Sequence, residues 1–267
     1  MNETVFNSNR SAWNQATEYH QKARSNSLQA GFVNPDFTVF NRDCDGILLN
    51  ELSGIDLRGK IIAQVPCNNG RELLSLMRFG AKEAVGFDIS DAAVKEAEQL
   101  AEIAKLKAKF ERINILEIGA GYDNYFDFIY VSEGSLQWFP DLDACFSVIN
   151  RLLKTGGRVL VFEIHPFAYI FENGFDPKIQ NWNEAVSYFS KGPYNYKNGM
   201  DYIGGIQYET GECYWFAHKI PDVIKAVLRN GIEILDFDEY NLEMANNHTA
   251  KLYDKFPLSY ILAGRKQ

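Results

Sequence analysis

Short apolar stretches alternate with longer amphipathic ones along the chain from residue 60 onward. The strand-like stretches lie near residues 61–65, 84–88, 108–113, 126–131 and 157–164. The helix-like stretches between them lie near residues 70–79, 91–105 and 141–153. This alternation is typical of βαβ units on a parallel sheet, and the almost continuous apolarity of "FDFIYV" and "RVLVFE" indicates strands covered by helices on both faces.

The segments around this alternating region have a different character. Residues 1–60 form an N-terminal lid or flank, in which 11–30 predict a polar helix and 31–60 predict irregular chain. The main domain covers 61–267 and contains a cap insertion at about 166–215, where aromatic, Gly and Asn residues are frequent and no period is clear. After the cap, a helix near 219–230 and strands near 232–240 and 257–266 complete the pattern. We therefore predict an α/β fold with a mostly parallel sheet of seven strands and helices on both faces.

The turn between the first predicted strand and its helix, "VPCNNGRELL", is a candidate binding site. Such a turn exposes backbone N–H groups at a helix N-terminus, which attract anionic or polar groups. Asn68 tolerates a left-handed conformation and can replace a glycine, whereas Cys67 is expected to be a small buried residue. Asn69 and Glu72 have the spacing of a capping box, which would begin the helix at Gly70.

The second predicted strand ends in an acid, Asp88, which lies 18 residues after Gly70. An acid at this place accepts hydrogen bonds from ribose hydroxyls in mononucleotide-binding folds. Ser90 is expected to cap the next helix. The alternative is that Asp88 itself caps that helix or is solvated at the strand end.

Residues 61–164 resemble the core of class I S-adenosylmethionine-dependent methyltransferases. "AQVPCNNG" stands at the family's first motif, hydrophobic-acidic-hydrophobic-GxGxG, with Gln64 in place of the acid and Gly70 at the third glycine. "VGFDIS" and "RINILEI" match the second and third motifs. "FDFIYVSEGSLQWFPDLDACFSVINRLLKTGGRVLVFEIHP" matches the region from the fourth strand to the fifth. A subfamily of uncharacterised small-molecule methyltransferase-like proteins shares the Cys-x-x-Gly turn, the "EG" and the "HP", and the whole resemblance covers about two thirds of the chain.

The resemblance implies a Rossmann-like fold, S-adenosyl-L-methionine as the cofactor, and a set of cofactor-binding positions. Asp88 matches the acid that binds the ribose, Ile89 lies beside the adenine, and Asn114 falls where an adenine-contacting residue is common. The N-terminal helix commonly folds over the cofactor in this family, although a tryptophan there can also simply anchor its helix. The candidate cofactor-binding residues are Trp13, Tyr19, Cys67, Asn68, Gly70, Asp88, Ile89, Asn114, Ile115 and Ser132.

Two residues that follow predicted strands are candidate catalytic residues. Glu133 follows the fourth strand and His165 the fifth, on the crevice side where ligands bind in such sheets. Either side chain could accept a proton from the methyl acceptor. The alternatives are that Glu133 is solvated or binds the cofactor's ammonium group, and that His165 only caps or supports neighbouring residues. Because the cofactor's methyl group is already activated, alignment and exclusion of water are the main demands on the protein.

Composition and charge narrow the class of acceptor. The 267 residues include 27 Lys and Arg against 35 Asp and Glu, a net charge of −8 that opposes binding to nucleic acid or anionic membrane. No apolar run reaches the roughly 20 residues that span a bilayer and no signal peptide is evident, so we expect no membrane contact and a cytoplasmic location. The scattered Cys and His residues indicate neither a disulfide framework nor a zinc site.

The sequence therefore predicts S-adenosylmethionine-dependent methyl transfer to an unidentified small-molecule acceptor, and it leaves the oligomeric state open. A non-catalytic protein that binds S-adenosylmethionine or S-adenosylhomocysteine on the same fold is the alternative, because the glycine turn is altered. An NAD-dependent oxidoreductase is disfavoured by the absence of the G-x-G-x-x-G fingerprint.

Overall fold

The computed structural model describes residues 2–40, 46–170, 187–242 and 255–267. Its N-terminal part consists of three helices: α1 (Asn2–Arg24), α2 (Ser27–Val33) and α3 (Ile47–Ser53). Helix α1 begins earlier than the pattern predicted, and α3 lies in a segment that was expected to be irregular. Leu48 and Leu52 of α3 are one helical turn apart and buried, so this short helix packs its apolar face on the core.

The main sheet has seven strands, as predicted. Its strands in chain order are β1 (Ile61–Gln64), β2 (Glu83–Asp88), β3 (Ala108–Arg112), β4 (Phe126–Val131), β5 (Leu153–Ile164), β8 (Ile232–Tyr240) and β9 (Ser259–Lys266). Two short strands, β6 (Tyr194–Tyr196) and β7 (Cys213–Trp215), lie between β5 and β8 in the chain and form a separate hairpin. The order across the main sheet is β3-β2-β1-β4-β5-β9-β8. Strands β1 to β5 pair in parallel, and β9 pairs antiparallel with both β5 and β8.

Helices cover both faces of this sheet. The remaining helices are α4 (Arg71–Met77), α5 (Asp91–Ala104), α6 (Leu142–Leu152), α7 (Pro166–Ile170) and α8 (Ile220–Arg229). Strand β4 shows why its sequence is continuously apolar: Ile129 and Val131 belong to the core under α6 and α8, whereas Phe128 and Tyr130 belong to the core under α2 to α5. The predicted α/β fold with two covered faces is confirmed.

Part of the predicted cap forms a cover together with α1. The two strands β6 and β7 pair antiparallel, and residues 171–186 of the predicted cap lie outside the described residues. The side-chain amide of Asn9 donates to the backbone carbonyl of Tyr214 and accepts from its N–H, both at 2.8 Å. Tyr19 stacks on Tyr208 at 4.0 Å between ring centroids. We call α1 with residues 194–215 the lid.

Within the described residues, no helix combines the length and the apolarity that crossing a lipid bilayer requires.

Candidate functional site

A cavity of about 690 Å³ opens at the carboxyl ends of the parallel strands, beneath the lid. Its volume falls within the roughly 300–1,000 Å³ that is usual for small-molecule sites. The turn after β1, the end of β2 and the loop after β4 form its floor, and residues of the lid form its roof. This is the place where ligands bind in open α/β sheets, because the strand order reverses there.

The turn after β1 depends on two residues with left-handed backbones. Asn68 has φ +48° and Gly70 has φ +71°, so the predicted glycine-like role of Asn68 is confirmed. A Cβ atom at Gly70 would lie 2.6 Å from the ring of Phe110, which excludes any larger residue without displacement of that ring. The turn therefore keeps its shape although only one of its residues is glycine.

The predicted capping box is wrong. Helix α4 begins at Arg71 with Gly70 at its N-cap position, and no side chain caps it. Asn69 Nδ2 instead donates to Glu96 Oε1 at 3.2 Å, and Glu72 Oε2 accepts a hydrogen bond of 2.6 Å from Gln64 Nε2. Both side chains bind residues of other elements, Glu96 of α5 and Gln64 of β1, and the spacing within the turn does not reveal these contacts.

Substitutions at Asn68 should separate backbone conformation from side-chain chemistry. We expect Asn68→Gly to preserve S-adenosylhomocysteine binding, because glycine adopts positive φ freely. Asn68→Val should weaken binding and lower stability by about 1–2 kcal/mol, because a β-branched residue tolerates this conformation poorly. Calorimetric titration and thermal unfolding of both variants would measure these effects, and equal affinity in the two would contradict a role for the backbone at this position.

One end of the cavity floor centres on Asp88, whose side chain is almost fully buried. Its Oδ2 accepts from the Asn68 N–H at 2.7 Å and its Oδ1 from the Ser90 N–H at 2.9 Å. Burial raises the pKa of Asp88, and these backbone hydrogen bonds oppose the rise. An ionised carboxylate has about four acceptor sites, so capacity remains on the side that lines the cavity. Ser90 caps α5 by accepting from the Ala93 N–H at 3.1 Å, as predicted.

Three further predicted residues, Ile89, Asn114 and Ile115, line the cavity beside Asp88. Asn114 is held by its own local turn, in which its Oδ1 accepts from the Leu116 N–H at 3.2 Å. Together with Asp88 these side chains offer apolar contact and polar groups to a nucleoside.

The opposite end of the floor contains a buried amide with an unsatisfied oxygen. Gln64 replaces the acid of the family motif, and its Nε2 donates to Glu72 Oε2 and, at 3.1 Å, to Ser132 Oγ. Its Oε1 is buried and has no hydrogen-bond partner among the described residues. Glu72 and Ser132 line the cavity, so a carboxylate is still present at this end, although it comes from the first turn of α4.

Two arginines that the sequence analysis did not single out lie at the same end. The Arg24 side chain is only 8% exposed, with Nη1 3.8 Å from Glu96 Oε1, and Arg71 Nη2 lies 3.7 Å from Glu72 Oε1. These distances exceed a hydrogen bond, and both residues line the cavity. Burial lowers the pKa of Arg24, and the charge of Arg71 contributes to this shift. A buried guanidinium and a half-buried one that line the same end of the cavity favour an anionic group such as a carboxylate there.

The residues present fit S-adenosylmethionine. Asp88 can accept from ribose hydroxyls, Glu72 can pair with an ammonium group, and Arg24 and Arg71 can pair with a carboxylate. The unsatisfied Gln64 Oε1 adds an acceptor beside Glu72, where an ammonium group would supply a donor.

The part of the cavity beneath the lid contains several aromatic side chains among polar and aliphatic ones. Trp13 of α1 lines the cavity, as expected from the resemblance, and lies edge-on to Trp138 with 5.3 Å between ring centroids. Tyr169 and Tyr196 line the same part. Tyr19 was expected at the cofactor but is not among the lining residues, because its ring is stacked on Tyr208 within the lid.

The loop after β4 carries Ser132 and Glu133, which line the cavity. A buried carboxylate, Glu163 of β5, holds this loop by accepting N–H groups of Gly134 at 2.5 Å and Leu136 at 2.7 Å. Burial raises the pKa of Glu163 to about 7, against the effect of these hydrogen bonds. The apolar strand pattern around Glu163 gave no indication of this function.

The titration of Glu163 predicts a pH dependence of stability. Its pKa is raised by folding, so its contribution to the free energy of unfolding is fully present below the ordinary value near 4.5 and is lost as the pH rises through about 7. A shift of this size corresponds to about 3 kcal/mol. Relative to Glu163→Gln, the wild-type protein should lose stability between pH 5 and pH 8 in denaturant titrations. Parallel pH profiles for the two proteins would contradict the raised pKa.

His165 does not lie at the cavity, which corrects its expected position. The ring is 2% exposed, its Nδ1 accepts from the Phe167 N–H at 3.1 Å, and its Nε2 donates to Glu239 at 2.9 Å. The chain turns into α7 directly after His165, so the ring packs against Phe167 and Tyr260 instead of the crevice. Burial lowers the pKa of His165. With both nitrogens engaged away from the cavity, His165 supports the fold at the end of β5.

Cys67 belongs to the turn after β1, and its thiol is buried. Burial raises the pKa of this thiol well above the ordinary value. It is therefore protonated and unreactive at neutral pH, in agreement with the expectation from the sequence.

Comparison with known proteins identifies the family. The methyltransferase domain family matches residues 59–216, which is more than half of the chain. The tRNA U34 carboxymethyltransferase of Helicobacter pylori (strain Shi470) is 34% identical over 106 residues, and Methyltransferase phqN of Penicillium fellutanum is 33% identical over 107 residues. Each match covers 39% of this chain but only 41% and 32% of the respective relative, so the chain aligns with less than half of their length.

The fold has a close counterpart among solved structures. An S-adenosylmethionine-dependent methyltransferase from Mesorhizobium loti superimposes with a TM-score of 0.62 at 17% identity, covering 85% of this chain and all of that one. Seven strands in the observed order, a crevice whose residues fit the cofactor, and the family match agree with one another. The chain belongs to the methyltransferase domain family, and its fold is that of a solved S-adenosylmethionine-dependent methyltransferase.

Proposed function

We propose that this methyltransferase acts on a small molecule, which binds between the loop after β4 and the lid. The observation that carries this proposal is the group of aromatic side chains, Trp13, Trp138, Tyr169 and Tyr196, that lines the cavity beneath the lid. Pockets for small molecules are typically concave and largely apolar, with a few polar groups that fix orientation. The two parts of the lid are joined by the paired hydrogen bonds between Asn9 and Tyr214, and a lid held together in this way can exclude water from the reaction.

Several residues are proposed to hold the cofactor. Asp88 binds the ribose hydroxyls, and Ile89, Asn114 and Ile115 contact the base. The turn of Cys67, Asn68 and Gly70 supports the centre of the cofactor, with Trp13 above it. Ser132 and Glu72 face the ammonium group, and Arg24 and Arg71 face the carboxylate. S-adenosylmethionine supplies a methyl group that is already activated on a sulfonium centre.

The chain's own residues then have three tasks. The floor and the lid align the acceptor with the methyl group, and the aromatic walls exclude water. Glu133 lines the cavity and is the proposed acceptor of a proton from the substrate. His165 is not assigned to this step, because both of its ring nitrogens bind partners outside the cavity.

The relatives from Helicobacter are carboxymethyltransferases of tRNA, which makes an RNA acceptor the alternative to test. The net charge of −8 opposes binding to a polyanion, since binding to RNA depends on cationic contacts to its phosphates. The cavity itself is lined by more carboxylates than guanidiniums. These charges favour a small acceptor.

A transfer assay with S-adenosylmethionine labelled in its methyl group would test the proposal. The purified protein is incubated either with an ultrafiltered metabolite extract or with total tRNA, and the label is followed in the small-molecule and RNA fractions. We expect labelled small molecules and unlabelled tRNA, with much less label in the small molecules for Asp88→Ala at a low concentration of S-adenosylmethionine. Label in the tRNA and none in the extract would overturn the proposed acceptor class.

A further inference from the structure

Four aromatic rings that line the cavity beneath the lid contact one another or a shared tryptophan. We define the aromatic wall as Trp13, Trp138, Tyr169 and Tyr196, which all line the cavity. Trp13 lies 5.3 Å from Trp138, and Trp138 lies 6.4 Å from Tyr196, measured between ring centroids. These rings come from α1, from the short helix Leu136–Trp138, from β6 and from α7, so the wall exists only when the lid is packed on the sheet.

A buried tryptophan, Trp215, supports the wall from behind. It stacks on Tyr196 with 5.6 Å between centroids and lies 5.1 Å from Tyr169 at a tilt of 42°. Because Trp215 is nearly inaccessible to solvent, the tyrosine rings have little freedom to turn away. A group of aromatic rings held in this way attracts a cation through the negative potential of the ring faces.

The charges that line the cavity point to a positive occupant. Within the described ranges four carboxylates line it, whereas two guanidiniums do, those of Arg24 and Arg71. The two arginines lie at the end of the floor beside Glu72 and Glu96. The four carboxylates belong to Glu72, Asp88, Glu133 and Asp201.

Three of these carboxylates have other partners or proposed tasks. Asp201 accepts the N–H groups of Gly204 at 2.8 Å and Ile206 at 3.1 Å, and the other two, Glu72 and Asp88, belong to the cofactor end. Glu133 lines the cavity from the loop after β4, which continues directly into the short helix Leu136–Trp138 that carries one ring of the wall. Among the described carboxylates that line the cavity, Glu133 therefore lies on the element nearest in sequence to the wall.

We propose that the methyl acceptor is an amine, bound with its nitrogen between the aromatic wall and Glu133. The proposal rests on the proposed transfer to a small molecule and specifies its substrate class. A protonated amine is attracted by both the ring faces and the carboxylate, whereas a carboxylate or phosphate acceptor would be repelled by Glu133.

The chemistry of an amine also gives Glu133 a defined task. The ammonium form has no lone pair, so one proton must leave nitrogen before attack, and Glu133 is placed to receive it. The nitrogen lone pair then forms the new N–C bond, while the S–C bond breaks and its electron pair returns to sulfur. The product is a methylated ammonium ion with S-adenosylhomocysteine, and the proton passes from Glu133 to solvent.

Binding of three small probes to the protein saturated with S-adenosylhomocysteine would test the substrate class. The probes are benzyltrimethylammonium, benzyl alcohol and benzoate, which share a ring and differ in charge, and calorimetry measures their dissociation constants. We expect the cation to bind at least about tenfold more tightly than benzyl alcohol, and benzoate to bind most weakly. Equal affinity for the three probes, tighter binding of benzoate, or no binding of the cation would overturn the proposal.

Variants locate the binding of the cation within the cavity. Trp138→Leu and Glu133→Gln should each weaken benzyltrimethylammonium binding about tenfold while the affinity for S-adenosylhomocysteine changes less than about threefold. Phe189→Leu removes a ring that is 77% exposed and does not line the cavity, so it serves as the matched control and should change neither affinity. Unchanged binding of the cation in both cavity variants would place it elsewhere and contradict the proposal.

A transfer assay separates failure of this inference from failure of the proposed function. Benzylamine, benzyl alcohol and benzoate are compared by release of S-adenosylhomocysteine, and we expect methylation of the amine alone. Methylation of the alcohol or the acid alone would overturn the amine inference and leave transfer to small molecules intact. Failure of S-adenosylhomocysteine itself to bind would instead contradict the proposed function.

Discussion

Asp88→Ala is expected to weaken S-adenosylhomocysteine binding by about 1.5–3 kcal/mol, the range for hydrogen bonds to a charged group. The Asp88 carboxylate lines the cavity at the end of β2, and the substitution by alanine removes both carboxylate oxygens. The same change deprives the N–H groups of Asn68 and Ser90 of their acceptor, so the turn after β1 should loosen as well. Calorimetric titration measures the affinity, and circular dichroism checks that the fold persists.

The control for this variant is Glu98→Ala, which removes an exposed acid on the outer face of α5. It changes the net charge by the same amount and should leave the affinity unaltered. If Asp88→Ala bound S-adenosylhomocysteine as tightly as this control, with its fold intact, Asp88 would not be the residue that binds the ribose.

Glu133→Gln is expected to lower kcat by about 10²- to 10⁴-fold on an acceptor that must lose a proton, which is the usual contribution of a general base. Glutamine keeps the size of the side chain but accepts no proton. The affinity for S-adenosylhomocysteine should remain close to that of the wild type, because the adenosine and carboxylate ends of the cofactor are assigned to other residues. Steady-state kinetics with the identified acceptor and calorimetric titration measure the two quantities.

His165→Gln is the comparison variant for this prediction. Because His165 binds Glu239 and the Phe167 N–H away from the cavity, we expect a lower melting temperature and a kcat within a few-fold of the wild type. The opposite result, a large loss of kcat in His165→Gln and little loss in Glu133→Gln, would reassign the proton acceptor. Loss of cofactor binding in Glu133→Gln would instead place Glu133 at the ammonium group.

The altered first motif has a structural explanation. The family's acid is replaced by Gln64, yet the carboxylate of Glu72 is bonded to that glutamine and lines the cavity. Asn68 provides the left-handed backbone that a glycine otherwise supplies. This turn therefore still offers a carboxylate and a left-handed backbone to the cavity, which agrees with a cofactor site.

Local regularities made most of the fold predictable. Strand and helix periods are properties of consecutive residues, so β1 to β5, the helices between them and the seven-stranded sheet follow from the pattern of apolar positions. The left-handed Asn68, the cap formed by Ser90 and the placement of Asp88 at a strand end also depend on neighbouring residues, and the structure agrees with each of them. The capping box failed because Asn69 and Glu72 bind side chains of other elements, Glu96 of α5 and Gln64 of β1.

What the sequence by itself determined is therefore the sheet, the cofactor turn and the acid at the end of β2, since short-range sterics and periodicity fix them. Only the tertiary structure decided the rest of the site. Arg24 comes to Arg71 because α1 packs over the crevice, and Glu163 reaches the loop after β4 because β5 pairs beside β4. His165 is turned away by the start of α7, a packing outcome that no local pattern contains. Such contacts join residues far apart in the chain, and the free energy that selects them comes from burying whole segments together.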